Sequence, residues 1–424
     1  FAMTSARPTL EQFRIEDARD GLIHFVFDAP GRTMNVFSNA AIRELNIFAD
    51  WLKDADVKGV VVRSGKDNAF CAGADLGELG VAYDMIVAAR PQDRFDIGFD
   101  HFFALSHGVR KLETAGKPVA VAIAGLALGG GCEFVMGGHY RVLVDDPKVA
   151  LGLPESLVGL LPGAGGTQRM PRYIGVEKAL PILLEGARLS GKAALDAGLV
   201  HELVAPGDEV AAAERWLLGS PHCVQPWDQD DYAPALHKDF APLIEATRAK
   251  VLAETLGHYP APLAILDCVE QGFVQSFDAA IRTEMSIFTH LIKRPEPRNM
   301  IQSNFLGKTD YERAVKKDAV PQTVADAVAA LAPLVDAARA NPVLAPAGFG
   351  ASAPVQSRVK AGYWLDAPEN AAVRAALAPL ADAALPLAKQ LSEQDRRMAD
   401  YALVSRNGFP AYLGGPLTYA LSRG

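Results

Sequence analysis

Two glutamates, Glu133 and Glu155, stand in glycine-rich frames, Gly129-Gly130-Gly131-Cys132-Glu133 and Gly152-Leu153-Pro154-Glu155. Upstream of both, Phe70-Cys71-Ala72-Gly73-Ala74-Asp75-Leu76 supplies another glycine-bearing turn. One carboxyl can take a proton and the other can give one, while backbone N–H groups bared by glycine can hold a developing oxyanion. Addition of water to an activated double bond needs these parts. Two such turns read as two halves of an oxyanion hole, and each donor is worth roughly two to three orders of magnitude in rate.

Each residue also has a plainer reading. Glycines 129–131 sit between a predicted strand and a predicted helix, where a ligand can approach the backbone and the helix N-terminus faces it; packing of a tight turn would ask for the same glycines. Glu133 falls in the first helical turn, where an acid also compensates the helix dipole for about 0.3–1 kcal/mol. Glu155 follows Pro154 inside the apolar run 149–161. Desolvation there favours the protonated form and suits a general acid; the alternative is a surface turn residue.

Stepping along the chain, the first half alternates strand and helix signals, which predicts an α/β class. Strands are expected over 22–27, 57–62, 118–124, 141–144 and 149–151. Ser38 is the expected N-cap of a helix whose apolar stripe is Ile42, Leu45, Phe48 and Leu52, and another helix is expected over 96–113. Residues 221–232 read as a loop, 243–256 and 263–269 as helices, and Ser276 as the N-cap of a helix running toward Leu291. Alanine-rich stretches 323–340 and 371–387 predict amphipathic helices around a Pro/Gly/Ala/Ser linker at 342–354. The expected organisation is a catalytic core over 4–205, a helical extension over 206–310 and an appended helical module over 311–424.

Composition excludes several classes. The net charge of -8 argues against a nucleic-acid surface. No uninterrupted apolar run approaches the roughly 20 residues of a membrane span. Phe1-Ala2 before Met3 read as an expression scar, not a secretory signal. The four scattered cysteines show no zinc spacing and predict reduced thiols in a cytoplasmic protein. His107, His139 and His201 lack metal-ligand spacing, so no metal is expected, and no serine or cysteine stands in a nucleophile arrangement. Residues 162–169 lack the Walker lysine and read as a helix-start turn beside the pocket; Gly348-Phe349-Gly350-Ala351-Ser352-Ala353 matches GxGxxA only formally.

In order, Asn68 to Leu76, Ala124 to Glu133, Gly152 to Glu155 and Pro162 to Arg169 form a series that closely resembles the enoyl-CoA hydratase (crotonase) family over residues 22–204. The resemblance implies a spiral of ββα units followed by a helical C-terminal region. It places oxyanion-hole N–H groups on Ala74 and Gly130 and the hydratase acids on Glu133 and Glu155, and it lines the substrate site with Ala72, Gly73, Asp75, Leu76, Gly129, Pro154 and Gly163. The spacing between the two acids is about two residues longer than the family's, an excess assigned to the Asp145-Asp146-Pro147 turn. Possession of both acids favours hydration of a trans-2-enoyl-CoA thioester. Isomerisation or thioester hydrolysis on the same fold is the second reading. A non-catalytic acyl-CoA-binding or assembly subunit with a thiolase or dehydrogenase partner is the third. No cofactor is implied, since coenzyme A enters as part of the substrate.

Tyr259 to Leu263 and the region from Ser276 to Leu306 look like the segment after the hydratase part of multifunctional fatty-acid β-oxidation proteins. No nicotinamide-binding fingerprint follows Tyr311. Members of the family form trimers or dimers of trimers, so a homo-oligomer is one expectation; cover of the site by the chain's own helical extension is the other.

Overall fold

The computed structural model describes residues 6–350 and 363–424. The expected scar at Phe1 to Met3 and the Ala351 to Ala353 end of the GxGxxA match lie outside the described residues. The chain divides into two compact units. The first holds the residues up to Ser156 together with Leu161–Pro242 and Ile265–His290; the second holds Leu157–Leu160, Leu243–Ala264 and Leu291–Gly424. The segment 206–310 therefore contributes to both.

The first unit is mixed α/β. Its strands are β1 (Phe13–Asp17), β2 (Leu22–Phe27), β3 (Gly59–Ser64), β4 (Ala69–Cys71), β5 (Val119–Ile123), β6 (Leu126–Leu128), β7 (Tyr140–Val144), β8 (Ala150–Gly152), β9 (Arg188–Ser190) and β10 (Glu202–Val204). They form a six-stranded sheet in the order β1-β2-β3-β5-β7-β10 and a four-stranded sheet in the order β4-β6-β8-β9. Pairing is parallel throughout except at β1–β2 and β8–β9. The pairs β3–β4, β5–β6 and β7–β8 each put one strand in the large sheet and the next in the small one, before the chain turns into helix. That repeat is the ββα spiral.

The helices of this part are α1 (Asn39–Leu52), α2 (Leu76–Ala88), α3 (Arg94–Glu113), α4 (Gly130–Met136), α5 (Gly166–Ile174), α6 (Val176–Glu185), α7 (Gly191–Ala197) and α8 (Glu209–Leu218). Ser38 caps α1 by accepting the Ala41 N–H at 3.1 Å. The stripe that α1 buries is Ala41, Leu45, Phe48 and Leu52; Ala41 stands where Ile42 was expected, because Ile42 is only partly buried. Phe48 stacks on Phe25 of β2 at 3.7 Å and 6°, and each such side chain stabilises by about 1.5–3 kcal/mol on burial. Glu44, on the same helix, accepts the N–H groups of Glu11, Gln12 and Phe13 at 2.7, 2.8 and 3.0 Å and so ties down the start of β1. The helices α9 (His237–Thr255), α10 (Pro260–Gly272) and α11 (Phe277–Ile292) divide their residues between the two units.

The second unit is helical: α12 (Pro295–Met300), a π-helical stretch (Ile301–Gly307), α13 (Lys308–Lys316), α14 (Gln322–Ala340), α15 (Ala371–Gln390), α16 (Glu393–Asn407) and α17 (Pro416–Leu421). Both alanine-rich segments are amphipathic as expected. The α14 helix buries Val324, Ala327, Leu331 and Val335, and α15 buries Val373, Leu377, Leu380 and Ala384, in one core with Tyr412 and Leu417. Residues Pro368–Gln390 are long and apolar enough to cross a membrane by length and composition alone, although Arg374 and Asp382 interrupt the apolar run. Their apolar stripe is spent on this core.

Candidate active site

The site lies wholly within the first unit. Its frame is the small sheet. Register pairs Leu128 of β6 with Gly152 of β8, and the Gly129 N–H donates to the Gly152 carbonyl at 2.9 Å. That bond brings the segment after β8 onto the turn before α4. Glu155, three residues past Gly152, sets its Oε1 2.8 Å from where a side chain on Gly129 would begin. Gly129 also has φ 56° and ψ -128°, a conformation open in practice only to glycine.

The three consecutive glycines do different work. Gly129 makes room for the Glu155 carboxyl. Gly131 packs on β4: a Cβ there would stand 2.4 Å from the Cys71 carbonyl oxygen. Gly130 opens α4, so its N–H is among the first-turn donors that find no acceptor within the helix. The packing reading is thus right for one glycine of three.

Opposite Gly130 lies the first motif. Asn35 pins it: its side-chain amide donates to the Phe27 and Phe70 carbonyls at 2.7 and 3.1 Å, and its carbonyl accepts the Ala72 N–H at 2.9 Å. Phe37 bridges Ala74 in parallel fashion through the Gly73 carbonyl at 2.7 Å and the Asp75 N–H at 3.2 Å. In such a bridge the Ala74 N–H faces the other way. A Cβ on Gly73 would sit 3.9 Å from the Gly130 nitrogen, so the two turns face each other closely. Ala74 is exposed while Gly73 and Gly130 are buried.

Other expected site residues have visible structural tasks. Asp75 caps α2, accepting from Gly77 N–H at 3.0 Å and Glu78 N–H at 3.2 Å, and pairs with Arg32 at 2.8 Å. Leu76 opens that helix. Pro154 joins β8 to the 3-10 turn Glu155–Val158, and Gly163 makes room for the Phe288 ring 3.0 Å from its would-be Cβ. The Asp145-Asp146-Pro147 segment closes as a tight turn, with Val149 N–H on the Asp146 carbonyl at 2.9 Å and Lys148 N–H on its side chain at 2.8 Å.

Glu133 is 2% exposed. Its Oε2 accepts the N–H groups of Ala164 and Gly166 at 2.6 and 2.7 Å. Burial pushes its pKa up to about 7, against the pull of those two N–H groups and the Arg169 charge. Arg169 is itself buried and forks onto Glu113 at 3.0 and 3.1 Å, as an Arg–carboxylate pair away from water must. Glu155 is half-buried as a residue, yet its Oε2 is shut off from solvent and has no hydrogen-bond partner among the described residues. Burial first, then the Glu133 charge, hold its proton well above the usual carboxylate range. A buried oxygen with its bonding capacity unspent is rare enough in a folded protein to demand a reason.

Two of the three singled-out histidines, His139 and His201, have structural tasks. The His139 ring takes the Val119 N–H and meets the Glu113 carbonyl at 3.0 and 2.9 Å. His201 takes the Arg141 N–H at 3.0 Å, and burial drives its pKa down to about 3. Sequence reasoning missed a third acid. Glu284 of α11 is fully buried and accepts the N–H groups of Gly165 and Thr167 at 2.7 and 3.0 Å. The available signal was a carboxylate on the apolar stripe Phe277, Ile281, Phe288 of an otherwise amphipathic helix.

A ββα spiral carrying two buried acids against paired glycine turns defines a crotonase-type α/β enzyme fold. Residues 17–225 match the family described as enoyl-CoA hydratase/isomerase, so the chain carries a domain of that family. It is 34% identical over 321 residues to a fatty acid oxidation complex subunit alpha of Shewanella amazonensis, covering 74% of this chain and 44% of that protein. A protein of the same description from Shewanella frigidimarina is 33% identical over 319 residues, covering 74% and 43%. The chain thus spans less than half the length of these relatives. An enoyl-CoA hydratase from Bacillus halodurans is similar in structure, with TM-score 0.48 and 18% identity over 69% of this chain and 99% of that one.

Proposed function

We propose that this family enzyme hydrates a trans-2-enoyl-CoA thioester to the 3-hydroxyacyl-CoA. The carrying observation is the Glu155 Oε2, closed off from solvent and without a partner among the described residues, in a pair with the raised-pKa Glu133. The thioester oxygen accepts from the Ala74 and Gly130 N–H groups, which draws electrons from the double bond. Both bonds on Glu133 fall on its Oε2, which reserves Oε1 for water. Glu133, ionised, removes a proton from that water as its oxygen bonds C3. Glu155, protonated, gives its proton to C2. The two acids have exchanged roles at the end of the step, and the pair titrates as a unit. Ala72, Gly73, Asp75, Leu76, Gly129, Pro154 and Gly163 line the approach to this centre, and no cofactor beyond the substrate's own coenzyme A is called for.

The names of the relatives, subunits of fatty acid oxidation complexes, support a fatty acyl chain as the substrate class and assembly with a second protein; a thiolase or dehydrogenase is the partner we propose. Cys71, Cys132, Cys223 and Cys268 are all free thiols, which supports a reducing, cytoplasmic setting. The test offers crotonyl-CoA and a 3-enoyl-CoA separately and follows absorbance of the conjugated thioester. Loss of conjugation with the first supports hydration. Gain of conjugation with the second, and no change with the first, overturns it in favour of isomerisation.

A further inference from the structure

The turn Ala164-Gly165-Gly166-Thr167 is shared by two carboxylates in alternation. Glu133 takes the first and third N–H groups at 2.6 and 2.7 Å, and Glu284 takes the second and fourth at 2.7 and 3.0 Å. Gly165, at φ 93°, gives the turn the left-handed residue that points successive N–H groups to opposite sides. The Thr167 hydroxyl donates to Glu284 Oε2 as well. Its polarity is fixed, because Gln168 Nε2 donates to Thr167 Oγ1 at 3.1 Å and to the Cys268 carbonyl at 2.7 Å. Three donors therefore converge on Glu284, and no step of the hydration uses it.

The geometry points to Glu284 as a positioning residue for the acid pair, a third carboxyl that holds from its other side the turn gripping Glu133. This rests on the two-glutamate reading above. The groups facing Glu284 are Glu133 of α4, Glu155 after β8, Thr167 and Arg172 of α5, and Cys268 of α10. Burial and the Glu133 charge raise its pKa to about 8, against its three donors. As pH rises through that value Glu284 ionises, and its charge in turn holds the proton on Glu155. Glu155 so keeps its acid form to higher pH than burial and Glu133 alone would allow.

The test compares wild type, Glu284→Gln and Thr167→Val, each shown folded by circular dichroism, in two readouts. One is the pH profile of kcat for enoyl-CoA hydration. The other is an infrared titration of the carboxylic-acid band, with the Glu155 component assigned by its loss in Glu155→Gln. Removing the charge in Glu284→Gln is expected to move the basic limb, and the Glu155 ionisation, to lower pH. Thr167→Val makes Glu284 harder to ionise and gives a smaller shift of the same sign, so it decides the matter if Glu284→Gln does not fold. Folded variants whose Glu155 ionisation stays in place overturn the positioning role. A wild type that does not hydrate enoyl-CoA overturns the hydratase reading instead, and the infrared titration then still decides whether Glu284 is coupled to Glu155.

Discussion

Both units bury carboxyls, and they treat them differently. In the helical unit Asp400 is fully buried, and its pKa is pushed up to about 7 by burial. Every part of it is engaged: Oδ1 takes the Leu417 N–H at 2.8 Å, and Oδ2 takes the Thr418 N–H at 3.0 Å and hydroxyl at 2.7 Å. Gly415 leaves room for it, since a Cβ there would lie 2.3 Å from the Asp400 carboxyl carbon. Asp400 is a helix cap turned inward. In the catalytic unit Glu155 reaches a similar state of raised proton affinity with its Oε2 unpartnered. A high pKa alone therefore marks burial; unspent bonding capacity beside it is what sets Glu155 apart from Asp400.

The largest effects should separate the two units by kind. Glu155→Gln and Glu133→Gln are each expected to lower kcat by roughly two to four orders of magnitude with little change in folding, read by steady-state hydration beside a denaturant melt. Gly129→Ala puts a methyl 2.8 Å from Glu155 Oε1 on a backbone at φ 56°. It should displace that acid and cost on the order of a hundredfold in kcat. Asp400→Asn should do the reverse, leaving kcat unchanged while destabilising the fold by about 1–3 kcal/mol through a donor facing donors. Equal losses of activity in Asp400→Asn and Glu155→Gln would erase the distinction.

The last effect is in pH dependence. The Asp400 pKa rises from 3.8 to about 7 on folding. Between those values the unfolded chain has lost the proton and the folded chain keeps it. The group's contribution to stability therefore falls as pH rises from about 4 to about 7 and is level above. Asn has no such titration, so the stability difference between wild type and Asp400→Asn should decline across that window in urea melts. A flat difference would mean that Asp400 is ionised throughout.

Local signals carried much of this into the sequence. The strand Leu22–Phe27 and the Ser38 cap are legible because apolar runs, turn residues and capping hydroxyls act within a few positions. Glu133 and Glu155 are legible because their glycine frames are contiguous. The strand Phe13–Asp17 is not, because Arg14, Glu16 and Asp17 dilute its pattern and its anchor is Glu44, far along the chain. Helix α2 hides behind Gly77 and Gly80, which lower helix propensity while the Asp75 cap restores it. Glu284 meets Thr167 across 117 residues, and no local period reports a contact of that span. The second unit's core was legible as amphipathic helix but not as the destination of a span-length apolar stretch, since composition cannot say what covers a face.

The most direct measurement is a double-mutant cycle in kcat on Glu133 and Glu155 with crotonyl-CoA as substrate. If one water is held between both acids, Glu133→Gln, Glu155→Gln and the double variant should all be slowed to about the same degree, since removing either acid already dismantles the step. Near-normal turnover in either folded single variant, or losses that simply multiply in the double, would contradict it.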